Sequence, residues 1–177
     1  MIELALPAFG RARVWLDEHP DIAVEGTRLV TRTLPARQGV STIRRAGVEL
    51  FVPSGALAGY ALVCGRFVPN DRDTLALELP VGGTPADRLS WSLAADLDDV
   101  RPGLPDEYAE SVLAALMAAP DVLGSGTLTL GPTAHAHVGS SPSVFFRASA
   151  ALLDILAMNP EDISGEQVVR ILQSRRG

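Results

Sequence analysis

Lysine is absent from this 177-residue chain, and all 15 of its basic side chains are arginine. A Schiff-base nucleophile, a Ser-Lys dyad and a phosphate loop of the Gly-Lys-Ser/Thr type are thereby excluded. Cysteine occurs once, as Cys64 in the apolar run "YALVCGRFV". It has no partner for an internal disulfide and no second thiolate to share a metal, so it is expected in the core. Apolar runs long enough to cross a bilayer are lacking, and the opening "MIELALPAFGRARVWLDEHP" has neither the basic head nor the cleavage site of a signal peptide. The expectation is a soluble, cytoplasmic protein with no membrane partner. Positive charge is also short: 21 acidic residues against 15 basic ones leave a net charge of −6. Long-range attraction to nucleic acid is weakened accordingly.

What is present reads as one domain, or one domain with an N-terminal extension, since no repeat or linker-like composition divides it. Short alternating runs, "IELAL", "ARVWL", "DIAVEGTRLVTRTL" and "GVELFV", read as strands separated by Pro, Gly and Asp. "AGYALVCGRFV" and "DTLALELP", joined through Asn70-Asp71, are expected to pair as antiparallel neighbours. In "LSWSLAADL" the spacing of Leu89, Trp91 and Leu93 suggests a further strand with those three on one face. "LPDEYAESVLAALMAAP" predicts a helix, with acids at its positive end, apolar positions at Val112, Leu113, Leu116 and Met117, and a stop at Pro120. "GTLTLGPTAHAHV" alternates as a strand until Gly131-Pro132, where the pattern predicts an interruption. A second helix follows, its face marked by Phe145, Ala148, Leu152, Ile155 and Leu156. A third opens on Ser164 and Gln167, spaced as a capping box, with arginines toward its C-terminal end. The order strands, helix, strand, helix describes an α+β fold, a split βαβ sandwich with a mainly antiparallel sheet and helices on one face.

Chemistry could reside in two places. The turn Gly139-Ser140-Ser141-Pro142 has a helix-capping reading, because serine accepts from a free backbone N–H and proline suits the first helical position. It also has an anion-binding reading, in which those N–H groups and the hydroxyls of Ser140 and Ser141 hold a phosphate or carboxylate. His135 and His137 on an extended segment would project to one face, a spacing that suits a metal if His19, Asp17 or Glu18 supplied a third ligand. Ser143, near His137, lacks the Gly-x-Ser-x-Gly surroundings of a nucleophile. Arg44-Arg45 and Arg175-Arg176 are isolated pairs without a basic and aromatic cluster around them.

From about Tyr60 to Leu156 the chain resembles domain IV of the ribosomal translocase, elongation factor G, a member of the ribosomal protein S5 domain 2-like superfamily. Glu107-Tyr108 stands where that family opens its central helix with Glu-Tyr, and "TLTLGPTAHAHVGSSPSVF" aligns without a gap to its strand, tip loop and following helix. Val138, Ser140, Ser141 and Phe145 match, while Leu128 and Leu130 keep the strand pattern. The family's tip loop reads Tyr-His-Asp-Val-Asp-Ser-Ser. Its tyrosine falls at His135, its histidine at Ala136, and its two aspartates at His137 and Gly139, so the tip chemistry here differs. The family's Gly-rich loop is replaced by "RRAGVELFVPSGALAGY", and there is no GTPase domain or P-loop to drive translocation. The superfamily's small-molecule kinases bind phosphate at Gly-Leu-Gly-Ser-Ser, which Gly139-Ser140-Ser141 echoes only in part.

The resemblance implies a β-rich N-terminal extension over 1–57 and a domain IV-like sandwich over 58–177. It implies a non-enzymatic binding or accessory module with no cofactor, touching a protein partner, the ribosome or tRNA through tip loop 133–139. The candidate contacts are His135, Ala136, His137, Gly139, Ser140 and Ser141, with Arg44 and Arg45 for RNA or a partner. Pairing of the chain with itself or with another chain through residues 1–57 is a further expectation. The alternative is a small-ligand or metal-binding enzyme on the same fold, using the Ser140-Ser141 helix start or His135 and His137.

Overall fold

The computed structural model describes residues 1–8, 10–24, 26–54, 57–83 and 87–174. Those residues form an α+β fold of eight strands and three helices. The strands are β1 (Ile2–Leu6), β2 (Gly10–Leu16), β3 (Arg28–Pro35), β4 (Arg44–Ser54), β5 (Leu57–Pro69), β6 (Thr74–Val81), β7 (Val100–Pro102) and β8 (Gly126–Ala136). The helices are α1 (Asp106–Met117), α2 (Pro142–Ala157) and α3 (Gly165–Ser174). One open sheet runs β1-β2-β4-β5-β8-β6-β3, with β7 pairing the end of β8. Every pairing is antiparallel except β6 with β8. Strands from residues 1–57 lie on both sides of the later ones: β1, β2 and β4 flank β5, and β3 flanks β6.

Each helix forms for a local reason. α1 follows Pro105 and carries Asp106 and Glu107 in its first turn, where carboxylates complement the free N–H groups. Its Val112, Leu113 and Leu116 are buried, whereas Met117 faces outward and ends the helix ahead of Pro120. α2 has Ser141 as N-cap and Pro142 at its first position. α3 carries the expected capping box, with Gln167 N–H donating to Ser164 Oγ (3.3 Å) and Ser164 N–H donating to Gln167 Oε1 (2.8 Å). Arg175 and Arg176 lie outside the described residues. All three helices feed one core cluster with the sheet face that presents Val48, Leu50, Val63, Leu77 and Leu128. The opposite face, with Phe51, Tyr60, Leu62 and Cys64, is covered by the segment carrying Leu89, Leu93 and Ala94.

Several expectations change. β5 and β6 are not neighbours, because β8 lies between them and pairs with both. Alternation records which face of a strand is buried but not which strand lies beside it. Residues 89–97 form turns rather than a strand, tied by Ser92 N–H to Leu89 O and Ala95 N–H to Ser92 O. Leu89 and Leu93 are buried while Trp91 is exposed, so the three do not share a face. In the run 21–34, strand structure begins only at Arg28. β8 continues through Gly131-Pro132, with one extra residue opposite the Val63 to Gly65 stretch of β5. That insertion switches faces: Leu128 and Leu130 point to the helices, and Ala134 and Ala136 point to the other side. Gly131 sits at φ +123°, a conformation open to glycine alone at low cost.

Candidate functional site

The tip is the connection from β8 into α2. β7 holds the end of β8 in register, pairing Val100 with Ala136 and Arg101 with His135. Beyond Ala136 the chain turns, and Asp98 organises that turn. Its carboxylate accepts from the N–H of Gly139 (2.7 Å) and of Val138 (3.2 Å). His137 N–H donates to Asp99 O (3.0 Å), and Tyr60 N–H donates to Gly139 O (3.1 Å). Gly139 is required by packing, since a Cβ there would lie 2.2 Å from the Ala58 carbonyl oxygen.

Ser140 is the knot of the turn. Its hydroxyl donates to Tyr60 O (2.7 Å) and accepts from Ala136 N–H (2.9 Å), while its carbonyl accepts from Tyr108 Oη (3.2 Å). Ser140→Ala removes both hydroxyl bonds and is expected to cost about 1–3 kcal/mol in a urea titration. A loss within experimental error would show that water replaces both. Ser141 Oγ accepts from Val144 N–H (3.4 Å) as an N-cap and contacts Ser143 Oγ (3.1 Å). Asp98 thus occupies the amides of Val138 and Gly139, and the hydroxyls of Ser140 and Ser141 have protein partners.

The histidines differ in setting. His135 is half-buried, and its Nδ1 lies 3.1 Å from Gly103 O, so Nδ1 carries the proton and donates to that carbonyl. Burial lowers its pKa below the ordinary 6.5, against the Gly103 hydrogen bond and together with nearby His137. His135 is therefore neutral at physiological pH. His137 is exposed on the turn after β8. His19, Asp17 and Glu18 follow β2 at the other end of the sheet, where Asp17 N–H donates to Arg45 O. Among the described residues no three His, Cys, Asp or Glu side chains gather as a metal-ligating group.

Arg44 and Arg45 begin β4 and also lie away from the tip. Arg45 is opposite Arg66 on β5, whereas Tyr60 of the same strand bonds to Gly139. Those six positions correspond to about 20 Å at the usual rise of a strand. The tip and Arg45 are two surfaces, and Arg44, one residue earlier, points to the opposite face of β4.

The residue that sequence reasoning missed is Glu49. Strand alternation turns it away from the helices, yet it is 0% exposed because the 89–98 segment crosses over it. Its Oε1 accepts from Tyr60 Oη (3.0 Å) and Leu93 N–H (2.8 Å), and its Oε2 lies 3.5 Å from Arg13 Nη1. Arg13 also donates to Trp91 O (2.7 Å), and Arg11 donates to Leu93 O (2.6 Å). Burial raises the Glu49 pKa above the ordinary 4.5, outweighing the opposing Leu93, Tyr60 and Arg13 interactions. Tyr60 is pushed well above 10.0 by burial and by Glu49 beside it. Cys64 is buried as expected, and burial raises its thiol so far that it stays protonated and unreactive. This enclosed group latches the crossing segment to the sheet. A glutamate between Val48 and Leu50 was the available signal, but its cover comes from 44 residues downstream.

A cavity of about 270 Å³ lies beside the β8 bulge, lined by Ile22, Val24, Pro80, Leu130, Gly131, Pro132 and Thr133. Of the tip loop only Thr133 borders it. No helix among the described residues is long and apolar enough to cross a membrane. Compared with known proteins, the chain matches no protein-family model, no curated protein and no solved structure.

Proposed function

We propose that the chain is a non-enzymatic binding module related to elongation factor G domain IV, with a fold of the ribosomal protein S5 domain 2-like type, docking through tip loop 133–139. The observation that carries this reading is the convergence of three positions at which the sequence resembles that family. Tyr108 stacks on Phe145 with ring centroids 4.8 Å apart and planes 17° apart, and its hydroxyl donates to Ser140 O. Sequence positions 108, 140 and 145 thus brace one tip. The chain order β5, β6, β7, α1, β8, α2, with β8 beside both β5 and β6, supports the same reading.

The tip's surface favours a protein partner over RNA. Leu97 is 73% exposed and Val138 58% exposed, and Asp98 ties the two neighbourhoods together. Asp96 is exposed beside them. Arg101 is paired with Asp99 (2.8 Å), which holds the Asp99 carboxyl below its ordinary 3.8. An apolar pair with a polar rim of mixed charge suits a protein surface, since Arg101, Arg88 and His137 lie near Asp99 and offset the carboxylates there.

Ribosome co-sedimentation across a salt series tests this reading. Docking on a ribosomal protein predicts association that changes little with salt and falls at least ten-fold in the Leu97→Asp/Val138→Asp variant. A steep salt dependence would indicate RNA contact instead. No association at low salt would remove the translation reading.

A further inference from the structure

The second surface has its own chemistry. Seven arginines of this acidic chain have side-chain partners: Arg13, Arg28, Arg32, Arg101 and Arg170 meet carboxylates, while Arg11 and Arg88 donate to backbone carbonyls. Among the described arginines without such a partner, which include Arg37, Arg44 and Arg72, only Arg45 and Arg66 face each other across a strand pair. They stand directly opposite one another on β4 and β5, both exposed, on the face turned away from the helices. Among the described residues neither side chain has an ion pair or hydrogen bond. Like charges directly across a strand pair destabilise it, and Asp17 on the β2 side, whose N–H donates to Arg45 O, makes no ion pair with either arginine.

The surroundings define what could supply a counter-charge. Next to Arg66 on β8 is exposed Thr129, whose hydroxyl donates to Glu78 (2.8 Å) on β6. A carboxylate two strands from Arg66 repels an extended chain of phosphates but leaves room for one or two anionic groups. Along the row Arg45, Arg66, Thr129, Glu78 and Thr31 there is no aromatic ring on which a base could stack. Ile43, two residues before Arg45, is 51% exposed and offers an apolar contact beside the charges.

We infer that Arg45 and Arg66 form a docking site for an acidic peptide segment of a partner protein, separate from the tip. The two guanidinium groups grip a carboxylate across adjacent strands, and Ile43 takes a neighbouring apolar side chain.

A fluorescein-labelled hexaglutamate peptide, followed by anisotropy at low salt, is the probe. Saturable binding is expected, weakened at least ten-fold in Arg45→Ser/Arg66→Ser and unchanged in Leu97→Asp/Val138→Asp, so that failure of the tip reading leaves this one standing. The double serine variant is expected to melt at or above the wild-type temperature, because it loses a repulsion. Absence of saturable binding, or binding indifferent to the double substitution, would overturn the site. So would a lowered melting temperature, which would assign both arginines to the fold. Tighter binding of a single-stranded RNA 12-mer through the same arginines would make the ligand nucleic acid. A dimer seen by light scattering and broken by the double substitution would make the occupant a second copy. Either result would overturn the acidic-peptide assignment.

Discussion

Phe145→Ala is expected to lower the unfolding free energy by about 3–5 kcal/mol, the usual cost of deleting a fully buried phenylalanine. Phe145 is completely buried in the cluster that joins the helices to the sheet, and it is the surface on which Tyr108 stacks. Its loss opens a cavity between α1 and α2 and removes the ring that positions the Tyr108 hydroxyl against Ser140 O. The damage therefore spreads from packing to the tip turn. Phe146, one position along, is partly exposed. Phe146→Ala is expected to cost far less, since much of its ring is not removed from water in the fold. Urea unfolding of the two variants makes the comparison. A Phe145→Ala loss below about 1 kcal/mol would mean that the site collapses onto the missing ring, and the bracing of the tip by Tyr108 would then need another source.

The second large effect concerns Glu49. Glu49→Ala leaves the buried Tyr60 Oη and Leu93 N–H without an acceptor, at an expected cost of about 1–3 kcal/mol each, while Arg13 keeps Glu3 and Trp91 O. Glu49→Gln keeps an oxygen for Tyr60 and Leu93 without the buried charge. Because burial raises the native pKa above 4.5, the native state binds this proton more tightly than the unfolded chain does. Its contribution to stability is fully present below the unfolded value and is lost as pH rises through the raised native value. Wild-type stability should thus fall relative to Glu49→Gln across that window, beginning near 4.5. Unfolding titrations of both proteins from acid to neutral pH cancel the other carboxylates and isolate this one. Parallel pH profiles would show that Glu49 keeps an ordinary carboxylate pKa.

Much of the local structure was legible because it depends on near neighbours. Ser141 before Pro142, Ser164 before Gln167 and the acids ahead of Val112 mark helix starts through bonds to adjacent backbone groups. The apolar faces of α1 and α2 follow from helical spacing. Leu89, Trp91 and Leu93 misled because alternation over a few residues is also compatible with successive turns, and burial of Ser92, Leu93, Ala94 and Ala95 in sequence is what identifies them. Gly131-Pro132 looked like a strand end. The bulge instead absorbs the break, because β5 continues to pair on either side of it.

The sequence by itself determined the class of the fold, the capped helix starts, an inert buried cysteine and the absence of lysine chemistry. Those properties rest on composition and on contacts within a few residues. Tertiary structure decided that β8 separates β5 from β6, that Glu49 is sealed beneath residues 89–98, and that Asp98 occupies the amides of the tip. It also separated Arg45 from the tip and set it opposite Arg66. Each of these depends on which distant segment lies alongside, and hydrophobic periodicity carries the direction in which a side chain points but not the identity of what it meets.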